Sequence, residues 1–221
     1  SEDLQALSTA QVRGLTTTQL AALSSDSLNL LNTAQIAALS SAQMAALTSS
    51  QIAHLETADL AVLSTTQIRG IDAADVAALS SEQLLIIGSS QLAAMNSAQL
   101  RAIDTTEIHA ISLPALGALS SQQIGLLTSR QLGALSDSQL QALSSAQLRG
   151  LGTDQIAALG SDDFNTLTSD QIRLLSSTQI AALTSNQIGN LTSEDLQALT
   201  TAQIRGLETR DLSALDSTDL E

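Results

Sequence analysis

Apolar residues recur along this chain at two fixed positions of an eight-residue unit, with no insertion or deletion. If each octad begins at a residue number divisible by eight and its positions are lettered a to h, Ser8–Leu15 reads STAQVRGL. Position e is apolar from Leu4 to Leu220, and position h is apolar from Leu7 to Leu215. Positions a and b are mostly small and polar, d is mostly Gln, and g is mostly Ala or Gly. Repetition at a fixed period indicates a repeat architecture.

Neither a continuous helix nor a strand fits this period. Eight residues at about 100° each advance a helix by roughly 800°, so the apolar stripe would shift by about 80° with each octad. In a strand, e and h would face opposite sides of a sheet. Within one octad, however, e and h are three residues apart and share a helical face, as Ile36 and Leu39 do. The sequence therefore predicts an all-α solenoid of very short helices, each about six residues long, with one helix in each octad.

A helix of this length is unstable alone in water, so each octad must pack against its neighbours. We predict one continuous solenoid over residues 1–221, as a segment of a longer array or as a subunit whose ends are covered by neighbours, because neither end shows a repeat with a polarised capping face. Octad 112–119 departs most from the pattern, with Leu113, Pro114 and Ala115 at b, c and d. It is expected to form a bend or a tolerated defect.

Two starting points for each helix are compatible with the octad. In the preferred one, Ser or Thr at b is the N-cap. Pro114 at c is then the first helical residue, and acids at c, such as Glu82, lie in the first turn. Gly88 and Gly152 at a would be left-handed residues that end the preceding helix. In the alternative, a is the N-cap and Gln at d completes a capping box.

Glutamine at d is the recurrent polar group of the chain. We predict that its side chain hydrogen-bonds to backbone groups left open at the corners, and that these bonds form a structural ladder along the stack. The ladder consists of Gln11, Gln19, Gln35, Gln43, Gln51, Gln67, Gln83, Gln91, Gln99, Gln123, Gln131, Gln139, Gln147, Gln155, Gln171, Gln179, Gln187 and Gln203. An acceptor near helical N–H groups still serves where aspartate replaces glutamine, at Asp59, Asp75, Asp163, Asp195, Asp211 and Asp219.

A longer repeat is superimposed on the octad. Arg-Gly pairs occur at 13–14, 69–70, 149–150 and 205–206, which are seven, ten and seven octads apart. Segmental duplication explains these spacings. A second hypothesis is that they mark superhelical turns of about 3.4 octads each. A coil of two octads, as in helical hairpins, would contradict the second hypothesis.

Ser81–Gly88, which reads SEQLLIIG, is the most apolar stretch of the chain. It has Leu85 and Ile86 at positions that are normally Ala or polar. One interpretation is a locally larger core, and the other is a lateral contact patch.

Composition and charge exclude several classes of function. The formal net charge is −14, and the chain has no Cys, Trp or Tyr. Such an acidic surface repels nucleic acid and anionic membranes, and eight basic residues without stacking aromatics are no nucleic-acid footprint. No run of about 18 apolar residues is present, so membrane insertion is not expected.

No catalytic, metal or cofactor site is predicted. His54 and His109 lie in different octads and at different positions, and the serines form no nucleophile elbow or catalytic triad pattern. The paired acids at 162–163 and 194–195 are explained by helix N-termini. Arginine recurs at f, which marks f as outward-facing, in Arg13, Arg69, Arg101, Arg149, Arg173 and Arg205. We expect no enzyme activity.

The octads SSAQMAAL at 40–47, SSTQIAAL at 176–183 and GTDQIAAL at 152–159 share the pattern (S/T)(S/T)xQ(I/L)xAL. This pattern resembles the octad-repeat regions of very long secreted or surface proteins of Gram-negative bacteria, which are commonly labelled adhesins or haem-utilisation/adhesion proteins. The resemblance covers the whole chain. It implies secretion and a role in fibres or attachment, and no haem-ligand pattern accompanies it.

The leading hypothesis is a structural repeat protein that forms the shaft of an extracellular bacterial fibre, filament or adhesin stalk. Its expected partners are copies of itself or adjoining repeats of a longer chain. The main alternative is a module that uses its rows of Ser, Thr and Gln to bind a repetitive ligand such as glycan or ice. An intracellular scaffold is a third hypothesis.

Overall fold

A computed structural model describes residues 2–207, 212–213 and 215. Leu220, Asp211 and Asp219 lie outside these residues. The described residues form short helices joined by corners and contain no strand, with one helix in each octad. The predicted fold class is confirmed.

Most helices contain four to six residues, and octad 104–111 forms a 3₁₀ helix instead of an α-helix. The α-helices are α1 Glu2–Gln5, α2 Thr9–Arg13, α3 Thr17–Ala21, α4 Ser25–Leu28, α5 Thr33–Ala37, α6 Ser41–Met44, α7 Ser49–Ala53, α8 Thr57–Ala61, α9 Thr65–Gly70, α10 Ala73–Val76, α11 Ser81–Ile86, α12 Ser89–Ala94, α13 Ser97–Ala102, α14 Leu113–Gly117, α15 Ser121–Ile124, α16 Ser129–Leu132, α17 Asp137–Gln141, α18 Ser145–Gly150, α19 Thr153–Ala158, α20 Ser161–Asn165, α21 Ser169–Leu174, α22 Ser177–Ala181, α23 Ser185–Ile188, α24 Ser193–Ala198 and α25 Thr201–Ile204. The 3₁₀ helix is Ile108–Ala110.

The helices begin one residue earlier than the preferred prediction, because a and not b is the N-cap. Ser176, for example, has extended backbone (φ −70°, ψ 158°), and its side chain accepts a hydrogen bond from the N–H of Gln179. The glutamine at d lies at N3 only when the N-cap is at a, and from N3 its side chain closes a capping box. The alternative starting point is therefore correct. Pro114 is the second helical residue, not the first.

Glycine at a also has a different role from the one predicted. Gly88 and Gly152 are N-cap residues with φ of −79° and −73°. No described residue has positive φ, so the corners need no left-handed residue. The chain turns because the residue at h and the next residue at a are both extended, as at Leu151 and Gly152.

The chain divides into two compact units, Ser1–Ala118 and Leu119–Glu221. In both units, helices pack on the helix three octads further along: α6 packs on α9 in the first unit, and α15 packs on α18 in the second. These contacts are inconsistent with a coil of two octads. Polar side chains also bond to octads four positions back, as described below, so one turn contains between three and four octads. The hypothesis of about 3.4 octads per turn lies within this range.

The cores of both units are formed by the apolar residues at e and h. Side chains at e are fully or almost fully buried from Val12 to Leu116 and from Ile124 to Ile188. The one aromatic residue, Phe164, occupies an ordinary core position, as expected. Because e and h both face inward from every helix, the coil encloses a continuous apolar column in each unit.

Leu85 and Ile86 are not part of this core. Leu85 is 58% exposed and Ile86 is 41% exposed, whereas Leu84 and Ile87, at e and h of the same octad, are buried. A locally larger core is therefore the wrong interpretation of Ser81–Gly88.

Octad 104–111 is irregular in a way that the sequence analysis did not predict. The side chain of Asp104 accepts the N–H of Thr106 at 2.8 Å, two residues ahead, instead of the N–H at N3. Such Asx turns compete with helix capping. Octad 112–119, in contrast, forms the regular helix α14 with Ser112 as its N-cap. It is a tolerated substitution and not a break in the helical pattern.

Candidate functional site

The glutamine amides at d are the most regular polar feature of both units, and most of them make two kinds of hydrogen bond. The carbonyl oxygen closes the capping box: the N–H of Ser176 donates to Oε1 of Gln179 at 2.8 Å. The amino group bonds to an earlier coil: Nε2 of Gln179 donates to the carbonyl oxygens of Leu148 and Leu151, each at 2.8 Å. One side chain therefore fixes its own helix and the coil beneath it.

We call the second set of bonds the amide ties. Their acceptors lie 31 and 28 residues before the glutamine, at e and h of the octad four positions back. In the first unit, Gln43 donates to Val12 at 3.1 Å and to Leu15 at 2.8 Å. Amide ties of this kind are described for Gln35, Gln43, Gln51, Gln67, Gln83, Gln91, Gln99, Gln147, Gln155, Gln171, Gln179, Gln187 and Gln203.

The remaining ladder residues differ in their surroundings. Gln11 and Gln19 belong to the first coil and are exposed. Their described bonds are those of the capping box, with Ser8 and Thr16 as the N-caps. Gln131 and Gln139 are buried, whereas Gln123 is half-buried, and all three complete capping boxes.

A family model described as the ALTTAQ repeat matches residues 1–31, 27–55, 52–85, 137–169 and 156–193, which together make up more than half of the chain. The chain belongs to the ALTTAQ-repeat family. The letters ALTTAQ occur literally at 198–203, from g of one octad to d of the next. They span a corner, an N-cap and a tie glutamine, which are the parts that join one short helix to the next and to the coil beneath. No match is found among proteins of curated function.

Acids at d connect ALTTAQ-repeat coils in a different way, because a carboxylate accepts hydrogen bonds but cannot donate to a carbonyl oxygen. Ser49 donates its hydroxyl to Asp75 at 2.6 Å, and Ser169 donates to Asp195 at 2.8 Å. In each pair the serine is at b, three octads earlier. Ser81 donates to Glu107 in the same relation. Sequence reasoning missed these serine partners, because they are 26 residues from the acids.

Asp59 is a third buried acid at d, with its carboxylate bonded to the side chain of Thr33. Burial raises the pKa of this carboxyl group, the Thr33 hydrogen bond opposes the increase, and the charge of Glu56 adds to it. At the surface, Asp104 shows the opposite direction: hydrogen bonds from the backbone N–H and the hydroxyl of Thr106 lower its pKa. The two acids therefore make opposite contributions to the pH dependence of stability.

Replacing Asp59 by glutamine is expected to stabilise the protein at neutral pH by about 1 kcal/mol, because the register allows the new amide to donate to the carbonyls of Leu28 and Leu31. The variant should also have a weaker pH dependence. A carboxyl group with a raised pKa binds its proton more tightly in the folded state, so stability falls as pH rises from its unfolded value of 3.8. Urea unfolding over a pH series measures both effects.

Asp104→Asn is the control for this prediction. The lowered pKa of Asp104 means that its contribution to stability is present above the unfolded value of 3.8 and is lost as pH falls. Asp104→Asn should therefore change the slope of unfolding free energy against pH in the direction opposite to Asp59→Gln. If Asp59→Gln leaves the pH profile unchanged, the raised pKa assigned to Asp59 is wrong, and if it does not increase stability at neutral pH, the amide tie expected at this octad does not form.

Donor side chains at f provide a further set of bonds, in the direction opposite to the amide ties. Nε of Arg13 donates to the carbonyl of Ala38, and Nε of Arg69 donates to that of Ala94, each at 3.1 Å. Asn29 donates to the carbonyl of His54 at 2.7 Å, and Gln141 donates to that of Thr166 at 3.1 Å. All four acceptors lie 25 residues ahead, at g three octads further along. Position f is exposed at Arg13 and Arg69, but its side chains also join coils.

Among the residues that the structure describes, neither histidine belongs to a group of potential metal ligands. Nδ1 of His54 lies 2.7 Å from the carbonyl oxygen of Ser50 in its own helix, and His109 is exposed on the 3₁₀ helix. Across the described part of the chain, no three His, Asp or Glu side chains come together in an arrangement that could hold a metal ion. No described helix is long and apolar enough to cross a membrane.

Proposed function

We propose that the chain is a length-setting structural element: the shaft of an extracellular bacterial fibre, filament or adhesin stalk. The observation that carries the proposal is the amide tie. Each tie uses backbone carbonyls of an earlier octad as its acceptors, so it does not depend on which side chains that octad carries. Any further octad with Gln at d can therefore extend the coil by the same bonds.

The proposed location outside the cell is supported by composition and by resemblance. The chain is acidic and has no cysteine, and its octads resemble those of long secreted or surface proteins of Gram-negative bacteria. An antibody against the chain should label intact cells of the source organism, and protease added to those cells should remove the label. Labelling only after lysis would favour an intracellular scaffold.

Binding of glycan or ice by the hydroxyl rows receives less support. The serines and threonines at a cap the helices, and several hydroxyls at b bond to the next coil. Ser25 donates to the carbonyl of Ser50 at 3.2 Å, and Ser89 donates to that of Pro114 at 2.9 Å. Hydroxyls engaged within the coil are not free to match a repetitive ligand.

Lengthening the chain tests the proposed role. If residues 144–199 are duplicated in place, seven octads are added without a change of phase. The largest dimension of the particle, measured by small-angle X-ray scattering and electron microscopy, should increase with each duplication by a constant amount. A duplication that omits one residue is the matched control and should disrupt the added coil. A constant largest dimension, or binding to glycan arrays or ice, would contradict the proposal.

We further propose that copies of the chain associate end to end, because a coil of a second copy offers the same carbonyl acceptors as a coil of the first. Sedimentation velocity over a range of concentrations should show species that grow in steps of one chain. A single monomeric species at every concentration would argue against this part of the proposal.

A further inference from the structure

Besides Leu113, three exposed apolar side chains on the first unit depart from the octad pattern. Val62 is 44% exposed, Leu85 is 58% exposed and Ile86 is 41% exposed. They occupy f and g, where most octads have alanine, glycine or a polar residue. We call these three residues the apolar patch. Because the core positions of both octads, such as Leu60 and Leu84, are already buried, the apolar patch contributes nothing to the core.

The apolar patch spans two adjacent coils. Helix α8, which carries the octad of Val62, packs on α11, and α11 packs on the 3₁₀ helix. The bonds from f to g of the octad three positions ahead, such as Arg69 to Ala94, set the register between such coils. By this register, position 61 at f lies next to position 86 at g of the following coil.

Glu82 lies one helical turn before Ile86 on α11, so an acid borders the apolar patch. The three stacked octads 56–63, 80–87 and 104–111 contain no arginine, and their acids are Glu56, Asp59, Glu82, Asp104 and Glu107. Glu56 and Glu82 are exposed and line one shallow groove together with Thr57 and Ser80. Glu56 is an N-cap residue whose side chain makes no capping hydrogen bond. Its carboxylate is therefore not engaged in holding its own helix.

We propose that the apolar patch and its acidic border form a docking surface for a cationic amphipathic segment of a partner protein. Apolar side chains of the partner would cover Leu85 and Ile86, and its Lys or Arg residues would face Glu56 and Glu82. This combination is the complement of the observed charges. A second copy of the chain fits less well, because 22 acids against eight basic residues would place like charges opposite one another.

The size and charge of this surface define the expected interaction. Three exposed side chains bury a small area, so binding is weak and transient. The acidic border makes it sensitive to ionic strength, because exposed charges are screened over about 8 Å at physiological salt. This inference goes beyond the proposed shaft role and does not depend on it.

A labelled synthetic helix of leucine and lysine is a suitable probe. Fluorescence anisotropy with the 221-residue chain should show binding that weakens as salt is added. The double variant Leu85→Ala/Ile86→Ala should bind the probe about tenfold more weakly. Alanine is the common residue at these positions, as at Ala45 and Ala46, so the variant retains its fold. Circular dichroism verifies the fold.

A second pair of variants separates this surface from general attraction to an acidic protein. Glu56→Gln/Glu82→Gln should weaken binding and reduce its salt dependence. Asp137→Asn/Glu194→Gln makes the same charge change at exposed acids of the other unit and should leave binding unchanged. Equal binding by all variants would overturn the proposal, as would absence of binding at low salt. Self-association that is abolished by Leu85→Ala/Ile86→Ala would overturn the choice of partner.

Discussion

Replacement of Gln179 by leucine is expected to lower the free energy of unfolding by about 2 to 4 kcal/mol. Leucine keeps the side-chain volume but removes both hydrogen-bonding functions of the amide. The carbonyl of Leu151 loses its bond from Nε2, and the carbonyl of Leu148 keeps only the bond from the N–H of Leu151. A buried carbonyl without a partner costs about 1 to 3 kcal/mol, and loss of the capping box adds about 1 kcal/mol.

Gln11→Leu is the matched control for this prediction. Gln11 occupies the same octad position and closes the same capping box with Ser8, but it belongs to the first coil and is exposed. The loss expected there is about 1 kcal/mol or less. Urea unfolding compares the two variants, and amide hydrogen exchange should show reduced protection in octads 144–151 and 176–183 for Gln179→Leu. Equal losses in both variants would mean that the amide ties add nothing to the capping boxes.

Replacement of Gly70 by alanine is expected to destabilise the first unit by about 1 to 3 kcal/mol. Gly70 lies at g, where α9 meets α6 of the preceding coil. A Cβ atom on Gly70 would lie 2.5 Å from the carbonyl oxygen of Ser41 and 3.0 Å from its carbonyl carbon and Cα. These are backbone atoms, so the clash can be relieved only by moving the two coils apart. The helix propensity of alanine offsets part of the loss.

Gly117→Ala tests the same substitution where no neighbour is close. Nothing lies within 4 Å of a Cβ built on Gly117, which is also in a short helix of the first unit. Alanine there should stabilise the protein by about 0.5 to 1 kcal/mol through its helix propensity. The midpoint temperature of thermal unfolding, followed by circular dichroism, should therefore fall for Gly70→Ala and rise for Gly117→Ala. A shift in the same direction would show that the coils separate easily at Gly70.

Both predictions concern bonds and contacts between residues that are distant in the sequence. Gln179 and Leu148 are 31 residues apart, and Gly70 and Ser41 are 29 apart. The glutamine was recognisable from the sequence because it recurs at d in most octads. Its two carbonyl acceptors were not, because every residue has a carbonyl group and only the coil spacing selects those at e and h.

The starting residue of each helix could have been settled from the sequence by the reciprocal geometry of the capping box. Gln at d can bond back to an N-cap three residues earlier, which is a and not b. Glycine at a and proline at c favoured an N-cap at b, but both residues are also compatible with an N-cap at a. An N-cap glycine is acceptable because its backbone is extended and its N–H is satisfied by the glutamine, as at Gly88 and Gln91.

The sequence by itself determined the period, the helical class and the inward-facing positions, because apolar residues three apart in every octad can share a face only on a short helix. The tertiary structure alone decided which octads meet. Stacking between octads three and four positions apart results from the angle at each corner. This angle depends on the extended backbone at h and a, which no particular residue type in the sequence specifies. The same stacking gave meaning to Leu85 and Ile86, which are apolar in sequence but lie outside the core, because Leu84 and Ile87 at e and h of their octad already fill the column.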